Sequence, residues 1–356
     1  MAKTLVVSDL HLGARREPDV LRRPGPRAAL CEAASRCERL VLLGDVVELR
    51  HDPARSALRA AEPVLRELGE ALAPGSEVVI VPGNHDHMLL RAWLGRRGLD
   101  SAGPLGLAAE VDWREDEALA ELAGWLAPAS VSVRYPGVWL RRDVYATHGH
   151  YGDRHITIPI LERLGAAVMA KVVAEPPGGP GSAEAYESVL GPMYAWIDAV
   201  AQGGGVRGRG GGGLQVRAWR ALQRSEGGRG LRGAGLRAAL PAAVAVLNRL
   251  GMGPLRPDVS GPALRRGGLR AFAEVLERLE VRADHVVFGH THRAGPLPGD
   301  EPSEWRTSGG ARLLNTGCWV GGGSFLGGEG GRSPYRPGFA ARLDDHGPPA
   351  LVNLLD

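Results

Sequence analysis

Short apolar runs recur along the chain, and each stops at a polar cluster. Lys3–Val7 (KTLVV) ends in Ser8-Asp9-Leu10-His11-Leu12-Gly13. Leu40–Leu43 (LVLL) ends in Gly44-Asp45-Val46-Val47-Glu48, and Glu77–Val81 runs into Pro82-Gly83-Asn84-His85-Asp86. Such runs, bounded by Gly, Pro, Asn and Asp, have the pattern of buried strands. Between them lie two stretches of helical spacing. Arg27–Arg39 carries Ala28, Leu30, Cys31 and Ala34, and Pro53–Ala73 sets Leu58, Val64, Leu65, Leu68 and Leu72 on one face. Strand alternating with helix predicts an α/β fold, in which function collects in loops at the carboxyl ends of strands.

Beyond His87 the pattern loosens. Met88–Arg97 and Glu115–Leu126 have helical spacing, and Ser101–Leu107 is predicted as loop. Three short β-like runs follow, Val131–Arg134, Val138–Arg141 and Asp143–Ala146, the last leading into Thr147-His148-Gly149-His150. From Tyr151 to about Ala283, helical pieces alternate with Gly- and Pro-rich joints at 175–182, 203–213 and 227–235. There Leu236, Leu240, Val244, Leu247 and Leu250 share a face. His285–Gly289 restarts the strand pattern and delivers His290-Thr291-His292. Arg312–Asn315 and Phe339–Leu343 are predicted closing strands around a Gly-rich loop. The expected organisation is a core of residues 1–150 and 284–356, with a mainly helical, Arg- and Gly-rich insertion at 151–283.

Composition changes this picture in few places. A chain of 356 residues can bury a substantial core. Net charge is +3, so no strong overall field is implied. The charge is uneven, however: residues 203–270 hold thirteen arginines against Glu226 and Asp258. Cys31, Cys37 and Cys318 form neither a paired framework nor a metal spacing, which suits a reducing interior. The N-terminus enters a strand at once, without a signal-peptide pattern. The longest apolar run, Ala238–Leu247, contains Pro241 and falls short of the roughly 20 residues of a spanning helix. A cytoplasmic protein is expected, with attachment to the inner face of the membrane left open.

The strand ends supply Asp9, His11, Asp45, Asn84, His85, His148, His150, His290 and His292, with Asp86 beside them. Taken singly, each has an ordinary reading: an aspartate can cap a helix, and Asn84 can serve a turn. Taken together, carboxylate, amide oxygen and imidazole without thiolate suit divalent Mn, Fe, Zn or Co. One metal needs three or four ligands, so this larger number of candidates points to two cations sharing a carboxylate. Two cations about 3.5–4 Å apart would stabilise the attacking and leaving oxygens of a phosphoryl displacement and lower the pKa of a bridging water.

Asp9-x-His11, Gly44-Asp45-x-x-Glu48, Gly83-Asn84-His85-Asp86, Thr147-His148-Gly149-His150 and Gly289-His290-Thr291-His292, in this order, resemble the motifs of calcineurin-like metallophosphoesterases. The resemblance spans roughly residues 3–150 and 285–320. It implies a two-sheet β-sandwich flanked by helices, with 151–283 as a cap. It implies that Asp9, His11 and His292 hold one metal, that Asn84, His148 and His290 hold the other, and that Asp45 bridges them. The two ions would be Mn, with Fe, Zn or Co as alternatives. His85 would be the catalytic histidine, oriented by Asp86. Glu48 is assigned to the helix dipole of a first turn rather than to the site. His150, Asp153 and Arg154 are candidate substrate contacts, with a plain ion pair an equal reading for the last two. Gly83 and Gly289 are expected at tight turns.

The implied activity is hydrolysis of a phosphoester or pyrophosphate by a metal-bridging hydroxide. A nuclease acting on DNA or RNA and a catalytically inactive scaffold are the alternatives. Gly44-Asp45-x-x-Glu48 and the insertion are similar to the UDP-2,3-diacylglucosamine pyrophosphatases, which generally carry Arg where His85 stands. The expected partner is a phosphorylated small molecule or a lipid-linked substrate. Residues 203–270 can also dock on an anionic membrane. With Trp219 and Phe272 as the aromatic residues of 203–283, single-stranded nucleic acid is disfavoured. A solvated basic linker is the bland alternative.

Overall fold

Three of the apolar runs become the centre of a sheet. β1 (Thr4–Val7), β2 (Arg39–Leu43) and β3 (Glu77–Val81) pair in parallel, with Val6 opposite Val41 and Val41 opposite Val79. Their residues are buried almost throughout, which is why their sequences are continuously apolar rather than alternating. The structure is a computed structural model that describes residues 3–15, 19–50, 53–99, 103–157, 161–172, 175, 178–202, 241–258, 260–321 and 333–356. The Gly-rich joints at 203–213 and 227–235, Trp219, and nearly all of the predicted loop before β9 lie outside these residues.

The connecting helices follow the apolar spacing. α1 (Pro24–Ala34) starts with proline in its first turn, where a missing N–H costs nothing, and stops short of Arg39 because β2 begins there. α2 (Ala54–Ala71) buries Val64, Leu65 and Leu68. α3 (Arg91–Leu99) and α4 (Ala118–Trp125) complete the set in this part of the chain.

β5 (Ser130–Arg141) is one twelve-residue strand where two short runs were predicted. Its first part lies parallel to β3, and its second part lies antiparallel to β6 (Val144–Thr147). Pro136-Gly137 sits between those two pairings, where a strand tolerates a residue without an N–H. β4 (Ala108–Glu110) pairs with this middle stretch. β6, β7 (His285–Phe288) and β8 (Arg312–Asn315) run parallel. β9 (Phe339–Leu343) and β10 (Ala350–Asn353) extend the other edge antiparallel, next to β1. The order is β10-β9-β1-β2-β3-β5-β6-β7-β8. Neither β4 nor β10 was foreseen, both being short and weakly apolar.

The fold is α/β. The hydrogen-bonded path is continuous through β5, yet Val41, Val79 and Val81 of one half share a core with Leu140, Val144 and Val287 of the other. That is the face-to-face packing of a sandwich whose two layers share a long strand.

The chain divides into two compact units, Met1–His150 with Leu279–Asp356, and Tyr151–Arg278. The second contains α5 (Leu161–Val172), α6 (Ala183–Gln202), a helical segment at 241–249 and α7 (Gly261–Arg278). It buries Tyr186, Leu190, Tyr194, Phe272 and Leu276. Of the predicted apolar face, Val244 is buried but Leu250 is exposed. No described helix is long and apolar enough to cross a membrane.

Candidate metal centre

The strand ends converge in the first unit because the sheet ladder continues past the strands. Asp9 N–H donates to Gly44 O at 3.0 Å, His11 N–H to Asp45 O at 2.8 Å, and Gly289 N–H to His148 O at 3.0 Å. Asp9, His11, Asp45, His290 and His292 all have φ between 45° and 67°. Left-handed backbone is uncommon for residues other than glycine and gathers where tertiary structure forces it, often at functional sites. Gly83 and Gly289 do not adopt it. A Cβ at Gly83 would lie 2.3 Å from Asp45 Oδ1, and one at Gly289 would lie 2.3 Å from Asp9 Oδ2. Close approach of neighbours, rather than the expected tight turn, is what requires glycine there.

Among the described residues three groups of side chains result, the third being His11, Glu48 and His85. In the first, Asp9, His11 and His292 present ligand atoms within 4.8 Å of one another; in the second, Asp45, His148 and His290 do so. His11 Nε2 and His292 Nε2 are 3.0 Å apart. Asp9 Oδ1 lies 3.3 Å from His292 Nε2 and accepts no hydrogen bond. Asp9 Oδ2, by contrast, accepts from Ser8 Oγ at 2.5 Å and from the His290 N–H at 3.0 Å. Asp45 Oδ2 stands 3.7 Å from His11 Nε2 and 3.2 Å from His148 Nε2, between the groups. Asn84 Oδ1 is 3.3 Å from His148 Nε2. A buried carboxylate oxygen without a donor, beside imidazole nitrogens that face one another, is a donor set that fits divalent cations.

The far ring nitrogens fix the tautomers. His148 Nδ1 donates to Leu43 O at 3.0 Å, which leaves Nε2 as the nitrogen that faces Asp45 and Asn84. His11 Nδ1 and His85 Nδ1 meet the same oxygen, Glu48 Oε2, at 3.0 and 2.8 Å. Glu48 is buried at 4% exposure. It therefore belongs to the site, which corrects its assignment to a helix dipole.

Asp86 does not orient His85. Its carboxylate accepts from the backbone N–H of Gly83 at 2.6 Å, Val46 at 2.7 Å and Asp45 at 3.3 Å, tying two loops together. Glu48 holds the imidazole instead. His150 is 1% exposed, with Nε2 3.1 Å from the Tyr135 hydroxyl and its ring stacked on Tyr135. That burial denies it the substrate contact expected for it. Asp153 and Arg154 fall in the second unit; Asp153 is buried, and Arg154 is ion-paired with Glu175. The ion-pair reading of Arg154 is the one observed.

Ser8 and Asn315 were missed. Ser8 Oγ also lies 2.7 Å from Thr316 Oγ1. Asn315 Nδ2 donates to Gly289 O at 2.7 Å and Thr291 Oγ1 at 3.0 Å, holding the loop of His290 and His292. Ser8 had one sequence signal, its place between β1 and Asp9; Asn315 ends β8, well past the last ligand motif in the chain.

Electrostatics follow from this packing. Burial works to raise the Asp45 carboxyl, but His148, His85 and His11 hold it well below the usual range. Burial alone would lower His11 and His148. The carboxylates of Asp9, Glu48 and Asp45 outweigh it at His11, raised to about 10, and Asp45 and Asp9 outweigh it at His148, raised to about 9. At His85 burial wins over Glu48 and Asp45, and the pKa falls to about 4. Burial and the Asp45 charge push Asp86 up to about 6.

Residues 2–171 match the family model described as calcineurin-like phosphoesterase. The match takes in four of the five motifs; Gly289–His292 lies beyond it, and the fold returns those histidines to the same centre. No curated protein matches the chain.

Proposed function

We propose that this protein is a phosphoesterase that works with two divalent cations. Asp9, His11 and His292 would hold one, Asn84, His148 and His290 the other, and Asp45 would be shared. The observation that carries this reading is the place of Asp45 Oδ2, within 3.7 Å of a histidine from each group. When bound, the cations would polarise phosphoryl oxygens and lower the pKa of coordinated water. The chain's own part is to fix its ligands. Glu48 keeps the Nε2 lone pair of His11 turned to the centre, and the Leu43 carbonyl does the same for His148. His85 Nδ1 meets Glu48, and the His85 side chain is 17% exposed where Asp45 is 2%. That accessibility supports a role at the phosphoryl group or the leaving oxygen. Mn is the proposed metal.

A phosphorylated small molecule or lipid-linked phosphoester is the proposed substrate. Among the described residues, the exposed large apolar side chains, Val168, Val172, Trp196, Val246 and Leu250, all belong to the second unit. Their exposure beside a basic sequence supports peripheral contact with an anionic membrane.

The test is metal analysis of the purified protein, then turnover of an aryl phosphodiester with added Mn. Asn84→Ala is expected to lower kcat by about a thousandfold or more while the circular dichroism spectrum persists. Undiminished turnover in that variant would refute the assignment.

A further inference from the structure

The second unit contains a buried cation that forms no ion pair among the described residues. Arg163 of α5 is 2% exposed. Its Nε donates to Ile156 O at 3.0 Å and its Nη2 to Gly253 O at 2.9 Å, while Nη1 has no acceptor. Among the described residues Arg163 forms no ion pair. Glu175, the acid nearby, is engaged by Arg154 through both Nε, at 3.1 Å, and Nη2. Burial pushes the Arg163 guanidinium down to about 10, helped by Arg154 and opposed by Glu175, so it stays charged at neutral pH. A guanidinium buried against carbonyls alone is costly, and the usual remedy is an anion.

Beside it is room for one. Arg163 lines a cleft of about 330 Å³ together with Arg154, Lys171, Glu175, Gly251 and Gly253. The cleft is held open by fixed backbone. Asn248 Nδ2 donates to Leu255 O at 3.0 Å and Oδ1 accepts from Leu255 N–H at 2.7 Å, pinning the loop between them. Lys171 Nζ donates to Leu250 O. Gly251 has φ +73°, and a Cβ there would sit 3.3 Å from Lys171 Nζ, so the loop passes close under the ammonium. Three cationic side chains against one carboxylate leave the cleft doubly positive.

We propose that this cleft binds the dianionic phosphoryl group of a phosphate monoester or of inorganic phosphate, with oxygens accepting from Arg163 and Lys171. Guanidinium and ammonium donors suit several phosphoryl oxygens at once. Ala167 and Ala170 also line the cleft and leave space beyond the anion. All of these residues belong to the second unit, so the inference stands whatever becomes of the metal centre. Val172 and Leu250, next to Lys171 and to its carbonyl acceptor, are 69% and 59% exposed. The phosphoryl group can therefore arrive free or on a lipid headgroup.

The experiment uses the full chain carrying Asn84→Ala, which removes phosphate binding at the metal centre from the measurement. Inorganic phosphate and glycerol 3-phosphate are titrated calorimetrically, and vesicles of phosphatidylcholine with and without phosphatidic acid are tested by sedimentation. Saturable binding, weakened about tenfold or more by Lys171→Gln and by Arg163→Gln, is expected. Lys171 is exposed, so its variant carries the test if Arg163→Gln does not fold. With Asn84 intact, Lys171→Gln is expected to hydrolyse the aryl phosphodiester normally. Binding of the soluble phosphates identifies a free ligand; Lys171-dependent binding confined to phosphatidic acid vesicles identifies a headgroup. No saturable binding to any probe, or equal binding with and without Lys171→Gln, overturns the proposal.

Discussion

Asp9, Asp45 and Glu48 of the first unit are buried among His11, His85, His148 and His292, whereas Arg163 of the second is buried among carbonyl oxygens. Both regions place charge where water is scarce. In the first, opposite charges from five loops offset one another, and protons on the histidines balance the carboxylates until cations replace them. In the second, no described group forms an ion pair with Arg163, and Glu175 is engaged by Arg154. The difference teaches that burial of charge has two stable solutions: a ring of partners supplied by the chain, or a cavity left for a partner from outside. Apolar surface divides the same way, since among the described residues the exposed large hydrophobic side chains are all in the second unit.

The sharpest way to break the first solution is at Glu48, which holds two imidazoles with one oxygen. Glu48→Gln removes the charge but keeps the shape. Metal affinity and kcat are expected to fall by about ten- to a hundredfold, the usual size for loss of a group that orients a ligand. Metal content by elemental analysis and turnover at saturating Mn check this. Unchanged values in both would return Glu48 to a merely local role.

Next in size is a pH effect specific to the metal-free protein. His11 and His148 have pKa values of about 10 and 9 against an ordinary 6.5. A folded-state pKa raised above the unfolded one contributes stability in full below the unfolded value, and that contribution disappears as pH rises through the folded value. The thermal midpoint of chelated protein is therefore expected to fall between pH 6.5 and 10 through these groups. Loading with Mn at pH 7.5 should release protons, seen as a calorimetric heat that depends on the buffer's ionisation enthalpy. A buffer-independent heat would contradict this.

Asp86 is a smaller and different case. Asp86→Asn replaces one acceptor oxygen by a donor facing backbone N–H groups, so a loss of about 1–3 kcal/mol in stability is expected by denaturant titration. Its effect on the pH–rate profile should be slight, because it does not touch His85. The smallest effect is expected in the second unit. Tyr186→Phe leaves His155 Nε2 without the hydroxyl that stands 2.6 Å away, at a cost of about 1 kcal/mol read from the same titration.

Much of the fold could be foreseen from local pattern. β1, β2, β3, β7, β8 and β9 fell within a residue or two of the apolar runs, because a strand covered on both faces leaves a continuous hydrophobic signature. β5 was split by Pro136-Gly137, since a sequence window cannot tell that the strand changes partner there. β4 and β10 escaped because three or four weakly apolar residues carry no periodicity. Asp9, His11, Asp45, Asn84, His148, His290 and His292 were singled out from order and position, and the fold brings their side chains together.

The chain alone determined which residue types stand at the strand ends, because polar residues that follow a buried run must emerge in a loop. Tertiary structure decided what each one touches. Asp86 is next to His85 in sequence, yet Glu48, 37 residues away, holds that ring, and His292 meets His11 across 281 residues. The same decision buried His150 against Tyr135, joined Arg154 to Glu175 and left Arg163 facing a cleft. Hydrogen bonds depend on distances of a few tenths of an ångström and on direction, and those are set by how separate loops pack, not by the spacing of residues along the chain.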